Sequence, residues 1–466
     1  MDRSGDVEQL VNMVTTFSDW LWGVPIISLL VLSGLYLTIR LGFFQFRYPL
    51  YILQQTLGSV FKKPKGEGDI SPRQALTSAL SSTIGAANII GVPAAIMFGG
   101  PGAIFWMWVI AVVGMAIKFS ESVLAVRYRE KNEAGEFVGG PVYYMAKGLK
   151  LKWLASWFAF ALMIELIPSI MVQGNAVSSA VRETFDGNTL VTGLIVAGLV
   201  ALVVFGGVKR IAKVTEVIVP AMALVYVGAG FIIVLMNFSQ IPEVLGLIFS
   251  YAFQPMAALG GFAGAAIAET IRWGFARGLY SNEAGLGTAP IAHAAAQTDH
   301  PVRQGFWAVI GIVIDTLIIC STTAFVVLSS GVWTRADAMN DPAALTTIAF
   351  QQYFGYTGSL LVTISLIFFV LSTIIVIIFY GSRQAEYLFG LKAGFLMKVV
   401  YIASIVIGAI GGAQMIWNFL DFMLAMILIP NMIAVLMLSG EVKRLTTEFF
   451  TSEKYYKKDV AEKKAS

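Results

Sequence analysis

Residues 74–117 contain no charged side chain; Arg73 precedes the run and Lys118 follows it. A helix crosses a bilayer core with roughly 17–25 apolar residues, so this stretch is long enough to cross twice. Gly99-Gly100-Pro101-Gly102 supplies the turn between the two crossings, since glycine and proline both interrupt helices. Uncharged or nearly uncharged runs recur at 24–39, 190–208, 217–236, 305–334, 357–379 and 399–412. Charged residues make up only 13% of the chain, about half the share usual in soluble domains. Backbone polar groups inside lipid must be satisfied within the chain. The fold class expected is therefore an all-α integral membrane protein.

Eleven transmembrane helices fit the hydropathy, at about 20–40, 74–99, 102–126, 154–180, 190–207, 214–237, 257–279, 304–331, 357–381, 395–412 and 416–438. If the N-terminus is outside, all but four of the 32 Lys and Arg residues fall in cytoplasmic segments. The exceptions are Arg3, Arg182, Arg335 and the intramembrane Lys118. This asymmetry follows the positive-inside rule and predicts a multi-pass plasma-membrane protein of a prokaryote with its C-terminus in the cytoplasm. The first residues lack a basic stretch followed by a cleavage site, so no signal peptide is read. Cys320 is the single cysteine, which excludes an intramolecular disulfide.

Eleven divides into one plus five plus five. An external N-terminus (1–19) leads to an extra helix and an amphipathic cytoplasmic connector (20–70) that lies on membrane lipid. Two five-helix blocks follow, 71–240 and 241–440, and a basic tail (441–466) ends the chain. Five is odd, so the blocks enter the membrane from opposite sides, as in an inverted-repeat secondary transporter.

In such repeats the first helix of each half is often discontinuous, and substrate binds at the breaks. The first block carries Gly85-Ala86-Ala87-Asn88 mid-span, then Gly91 and Pro93; the second carries Gly260-Gly261-Phe262-Ala263-Gly264. Freed N–H groups suit a carboxylate and freed carbonyls suit a cation. Ser372-Thr373 lie mid-span, where their hydroxyls either complete a sodium shell or bond back to their own helix. Gln173 is placed to meet a substrate's polar group. Glu165 and Asp315 are intramembrane carboxylates, which are costly unless paired or wet; both are candidates for proton coupling. Lys118 with Glu121 and Glu269 with Arg272 are each three apart and read as helix-face ion pairs. Trp106 and Trp108 read as interface anchors.

The stretch 277–305 lacks the nucleotide-binding pattern Gly-x-x-x-x-Gly-Lys-Ser/Thr. His293 and His300 make a poor zinc set, and no hydrolase motif occurs. Neither an enzyme, nor a covalent cofactor, nor a nucleic-acid partner is expected. An ion channel would need a filter or a ring of charges, and none is visible.

Ser281-Asn282-Glu283-Ala284-Gly285-Leu286-Gly287-Thr288-Ala289-Pro290 resembles the signature of the alanine or glycine:cation symporter family, also called sodium:alanine symporters. Gly99 to Trp108, Gly139-Gly140-Pro141 and Thr298-Asp299-His300-Pro301 look like further landmarks, and the match runs from about 18 to 440. The resemblance implies a leucine-transporter-like five-plus-five inverted repeat with one extra N-terminal helix. It also implies sodium-driven uptake of a small neutral amino acid, alanine or glycine; some relatives are associated with glutamine or D-amino acids. Carried over by position, it puts Ala86, Ala87, Asn88, Gln173, Gly261, Phe262, Ala263 and Gly264 at the substrate. Thr83, Ile84, Ser372 and Thr373 would hold sodium. The family usually has Gly-Thr-Gly-Asn where this chain has Gly85-Ala86-Ala87-Asn88. The change removes a hydroxyl and adds a methyl, and it disfavours positive φ by roughly 1–2 kcal/mol.

Overall fold

The computed structural model describes residue 17 and residues 20–254, 267–335, 342–411, 414–457 and 459. The described chain is almost wholly helical. Its main helices are α1 (Val24–Arg40), α2 (Pro72–Thr83), α3 (Val92–Gly99), α4 (Ala103–Arg127), α5 (Lys152–Phe185) and α6 (Thr189–Val204). They continue with α7 (Gly207–Met236), α8 (Ile241–Phe253), α9 (Ile267–Asn282), α10 (Ala289–Ala294), α11 (Pro301–Ile312) and α12 (Ser321–Ser330). The last are α13 (Pro342–Phe354), α14 (Tyr356–Phe389), α15 (Leu391–Ile410), α16 (Gln414–Met437) and α17 (Ser439–Thr451). Among the described residues, six helical stretches are long and apolar enough to span a membrane unaided, or up to eight if each of two bent pairs is one span.

The broken first helix is present. A capping box starts α2: Ser71 Oγ accepts from the Gln74 N–H, and Gln74 Oε1 accepts from the Ser71 N–H. Pro72 occupies the first turn, where its missing donor costs nothing. The helix stops at Thr83, and Ile84 is extended (φ −78, ψ 102). It restarts through a π-helical turn, Ala87–Gly91, that runs into α3. The two arms differ in direction by 50°. Pro93 therefore lies in the second turn of the restarted arm, and the break falls about two turns earlier, at Ile84–Gly85.

The helices pack in two sets. α4 packs against α9 and α11, while α5 packs against α14 and α15, which also touch each other. The broken helix lies between the sets, with α2 against α7, α10 and α14, and α3 against α9. Small residues permit the closest approaches. A Cβ on Gly408 of α15 would come within 2.1 Å of the Met171 carbonyl oxygen of α5, so backbone meets backbone there.

On the connector side, Arg129 donates to the carbonyls of Glu67, Ala294 and Ala296. Glu67 and Ile70 form bridges to Thr298 and Ala296. Gly66 (φ +89) is pressed against the Thr298 carbonyl. The Thr298–Pro301 landmark thus ties the connector to α11. His300 Nδ1 accepts the Val302 N–H, and burial pushes its pKa down to about 4, so at neutral pH it is the acceptor this cap requires.

Two expectations need correction. Lys118 and Glu121 do not pair on a helix face. Both are buried, and Lys118 Nζ donates to the Asn282 carbonyl at 2.6 Å. Glu121 Oε1 accepts from Asn431 Nδ2 at 2.5 Å. The three-residue rule holds for a helix in solvent; α4 is walled in, so partners on other helices compete. Trp106 and Trp108 are packed inward, donating to the Ala252 carbonyl and Ser321 Oγ. Glu269 and Arg272 do pair, at 3.5 Å.

Candidate functional site

The break frees backbone groups. Among the described residues, no backbone N–H reaches the carbonyls of Thr83 or Ile84. Helix α14 abuts this point. Thr373 Oγ1 lies 2.8 Å from the Ser81 carbonyl and 2.9 Å from that of Phe369. Ser81 Oγ in turn donates to the Ser372 carbonyl at 2.8 Å. A Cβ on Gly85 would stand 3.1 Å from Thr373 Oγ1. Thr373 therefore sits against the end of α2 at Ser81 and against Gly85 at the break. The Ser372 hydroxyl instead turns back to Phe369 of its own helix, and Thr83 Oγ1 turns back to Ala79 and Leu80. A hydroxyl has one proton and two lone pairs, so Thr373 can bond a carbonyl and still offer oxygen to a cation.

Asn88 holds the broken helix to the other block. Its Oδ1 accepts the Gly85 N–H at 2.9 Å, and its Nδ2 donates to Asp315 Oδ1 at 2.8 Å. Asp315 Oδ2 accepts from Ser281 Oγ at 2.6 Å and Thr316 Oγ1 at 2.8 Å. Cys320 Sγ lies 3.2 Å from both Asn88 and Ser281. Asp315 sits in a second π-helical segment, Val313–Cys320, between α11 and α12. That segment packs on the π-turn at 87–91. π-helical turns inside helices occur often at functional sites. Every atom of the Asn88 carboxamide that can make a hydrogen bond is engaged, so in this conformation Asn88 shapes the site and faces no open space.

Ala86 is partly buried and Ala87 is buried. Neither has a positive φ, so alanine brings no backbone strain to this turn. Gln173 is buried, and its Oε1 has no hydrogen-bond partner among the described residues. No hydrogen bond joins it to residues 83–88 among those residues. Asn175 donates to the Gly411 carbonyl. Gly261, Phe262, Ala263 and Gly264 lie outside the described residues. A cavity of about 660 Å³ lies elsewhere, between the connector lysines 62, 63 and 65 and Arg303.

The family signature folds as a buried clamp. Asn431 Nδ2 donates to Glu121 and to the Gly285 carbonyl, and Tyr144 donates to Asn431 Oδ1. Glu283, Gly285 and Gly287 all have positive φ, which winds this turn tightly against α4. The sequence reading had not singled out Asn431. Its signal was a carboxamide inside an apolar span, just after Pro430.

A model of the sodium:alanine symporter family matches residues 7–463. An uncharacterized transporter of Bacillus subtilis is 67% identical over 98% of this chain and 97% of its own length. A sodium/alanine symporter of Methanococcus maripaludis is 41% identical, covering 94% of this chain and 97% of that one. Among solved structures, the crystal structure of MhsT in complex with L-phenylalanine superposes with a TM-score of 0.57 at 13% identity. It covers 80% of this chain and 89% of that one, and the likeness identifies the fold as leucine-transporter-like.

Proposed function

The chain belongs to the sodium:alanine symporter family, and on that premise we propose that it imports a small neutral amino acid, alanine or glycine foremost, together with sodium. The observation that carries this reading is the break at Ile84–Gly85, with Thr373 of α14 set against the Ser81 carbonyl and Gly85 at its edge. Sodium binds the carbonyls of Thr83 and Ile84 with the Thr373 hydroxyl; Ser372 contributes through its position in the same turn. Ala86 and Ala87 form the wall of the amino-acid pocket, and Gln173 meets a polar group of the substrate. Asn88 acts by fixing the break.

Transport is by alternating access, with the N-terminus outside and the C-terminus in the cytoplasm of a prokaryotic cell. The two five-helix blocks, 71–240 and 241–440, rock about the site. A neutral zwitterion moves no net charge, so sodium supplies the electrical drive. At about 2.3 kcal/mol per charge per 100 mV, and about 1.4 kcal/mol per tenfold, one sodium supports roughly fortyfold accumulation. The Ala87 methyl, where the family usually has glycine, narrows the pocket and favours the smallest substrates over glutamine.

A thermal-shift screen of the twenty amino acids checks the substrate class, because a ligand of the native state stabilises it by mass action. Alanine or glycine is expected to raise the melting temperature in sodium and not in choline. Stabilisation by no small neutral amino acid would overturn the substrate assignment.

A further inference from the structure

None of the residues lining the cavity of about 660 Å³ beside the connector belongs to the broken-helix site. Its walls come from residues 51–65 of the connector, 71–73 at the start of α2, 297–307 around the start of α11, and Asp459. The two arginines on these walls are already matched. Arg303 donates to Asp299 at 2.9 Å and to Asp459 at 2.8 Å, and Arg73 pairs with Glu216. Lys62, Lys63 and Lys65 line the same cavity. None of their ammonium groups has a hydrogen bond or an ion pair among the described residues. A cleft lined by unmatched charges of one sign concentrates counter-ions, so this one calls for an anion.

The lysines are presented from a pinned loop. The Thr298 N–H donates to the Glu67 carbonyl at 3.2 Å, and the Gln297 N–H donates to that of Ile70 at 2.8 Å. Pro64, between Lys63 and Lys65, fixes its own φ. Beside this loop the connector turns apolar side chains outward. Leu50, Leu53, Leu57 and Phe61 recur every three or four residues, and all are exposed, Phe61 to 96%. Gln54, Gln55, Gly58 and Ser59, which lie between them in the chain, line the cavity, so the apolar face and the basic cavity adjoin. The connector also follows directly on the apolar helix α1. A water-soluble anion would answer the lysines and leave Phe61 in water. A lipid answers both, because basic groups next to a membrane helix hold anionic headgroups while apolar side chains enter the acyl boundary.

We propose that this cavity binds the phosphate headgroup of an anionic phospholipid, with Lys62, Lys63 and Lys65 as counter-charges and Leu57 and Phe61 against the acyl chains. Lysine holds phosphate as a point charge, so several lysines suit a headgroup better than one. The starts of α2 and α11 line the same cavity, so the bound lipid fastens the connector to both.

Thermal unfolding of the purified full-length protein in nonionic detergent, titrated with phosphatidylglycerol, tests this, because a ligand of the native state raises its melting temperature. Phosphatidylglycerol is expected to stabilise the protein, and phosphatidylcholine and inorganic phosphate are not. Changing Lys62, Lys63 and Lys65 together to Gln should raise the phosphatidylglycerol needed by at least about tenfold. All three are exposed, so the variant keeps its fold. The same change at Lys443, Lys454 and Lys457, exposed and outside the cavity, should have no such effect. Phe61→Gln should weaken phosphatidylglycerol by about fivefold. Equal weakening in the two triple variants would reduce the effect to diffuse attraction and overturn the proposal. Inorganic phosphate stabilising as strongly as phosphatidylglycerol, with Phe61→Gln silent, would give the cavity to a soluble anion and overturn it equally.

Discussion

Asn88→Leu is expected to abolish transport and to destabilise the folded protein by about 3–5 kcal/mol. Leucine matches the shape of asparagine but neither of its bonds. The Gly85 N–H would lose its acceptor at the point where the helix is open, and a buried donor left unpaired costs roughly 1–3 kcal/mol. Asp315 would lose one of its three donors, and a buried carboxylate stripped of a partner costs at least as much. The two π-helical segments meet through this pair, so their registry should loosen together. The apparent melting temperature in detergent and alanine uptake after reconstitution check the two halves of the prediction. Wild-type uptake by the Asn88→Leu protein would mean that the carboxamide does not hold the break.

Thr373→Val should raise the sodium concentration for half-maximal uptake by at least about tenfold, equivalent to about 1.4 kcal/mol. Valine keeps the branched shape, so the packing of α14 on α2 survives. Only the hydroxyl against the Ser81 carbonyl is lost, at about 1 kcal/mol of stability. Ser372→Ala should do much less, because that hydroxyl is turned back to Phe369. The pair makes a sharp comparison: adjacent residues in one turn with unequal effects on sodium dependence. Equal effects, or none from Thr373, would move the sodium site elsewhere.

The long uncharged runs made the membrane class legible, because lipid tolerates few alternatives to an apolar helix. The break was legible from Gly85 and Asn88, yet its position was read too broadly. Gly91 and Pro93 belong to the arm that restarts, and the Ile89 carbonyl that Pro93 cannot serve accepts the Thr346 hydroxyl instead. The partner of Asn88 could not be read, since Asp315 lies 227 residues away and only tertiary packing joins them. Lys118 and Glu121 were misread for the same reason: spacing describes one helix, whereas in a crowded interior neighbouring helices decide the partners. Glu283 stood in the quoted signature, but nothing in the sequence shows that Ser82 and Thr288 both donate to one of its oxygens. Ala86-Ala87 raised a strain that the backbone does not carry, because both residues avoid positive φ. The substitution therefore carries no cost in backbone conformation.

Sodium should drive the accumulation of a small neutral amino acid. Purified protein in vesicles, loaded with potassium and diluted into sodium, should concentrate radiolabelled alanine or glycine above the outside level. An inside-negative potential should increase that accumulation, and collapse of the sodium gradient should abolish it. Uptake of the same size with choline in place of sodium would contradict the account.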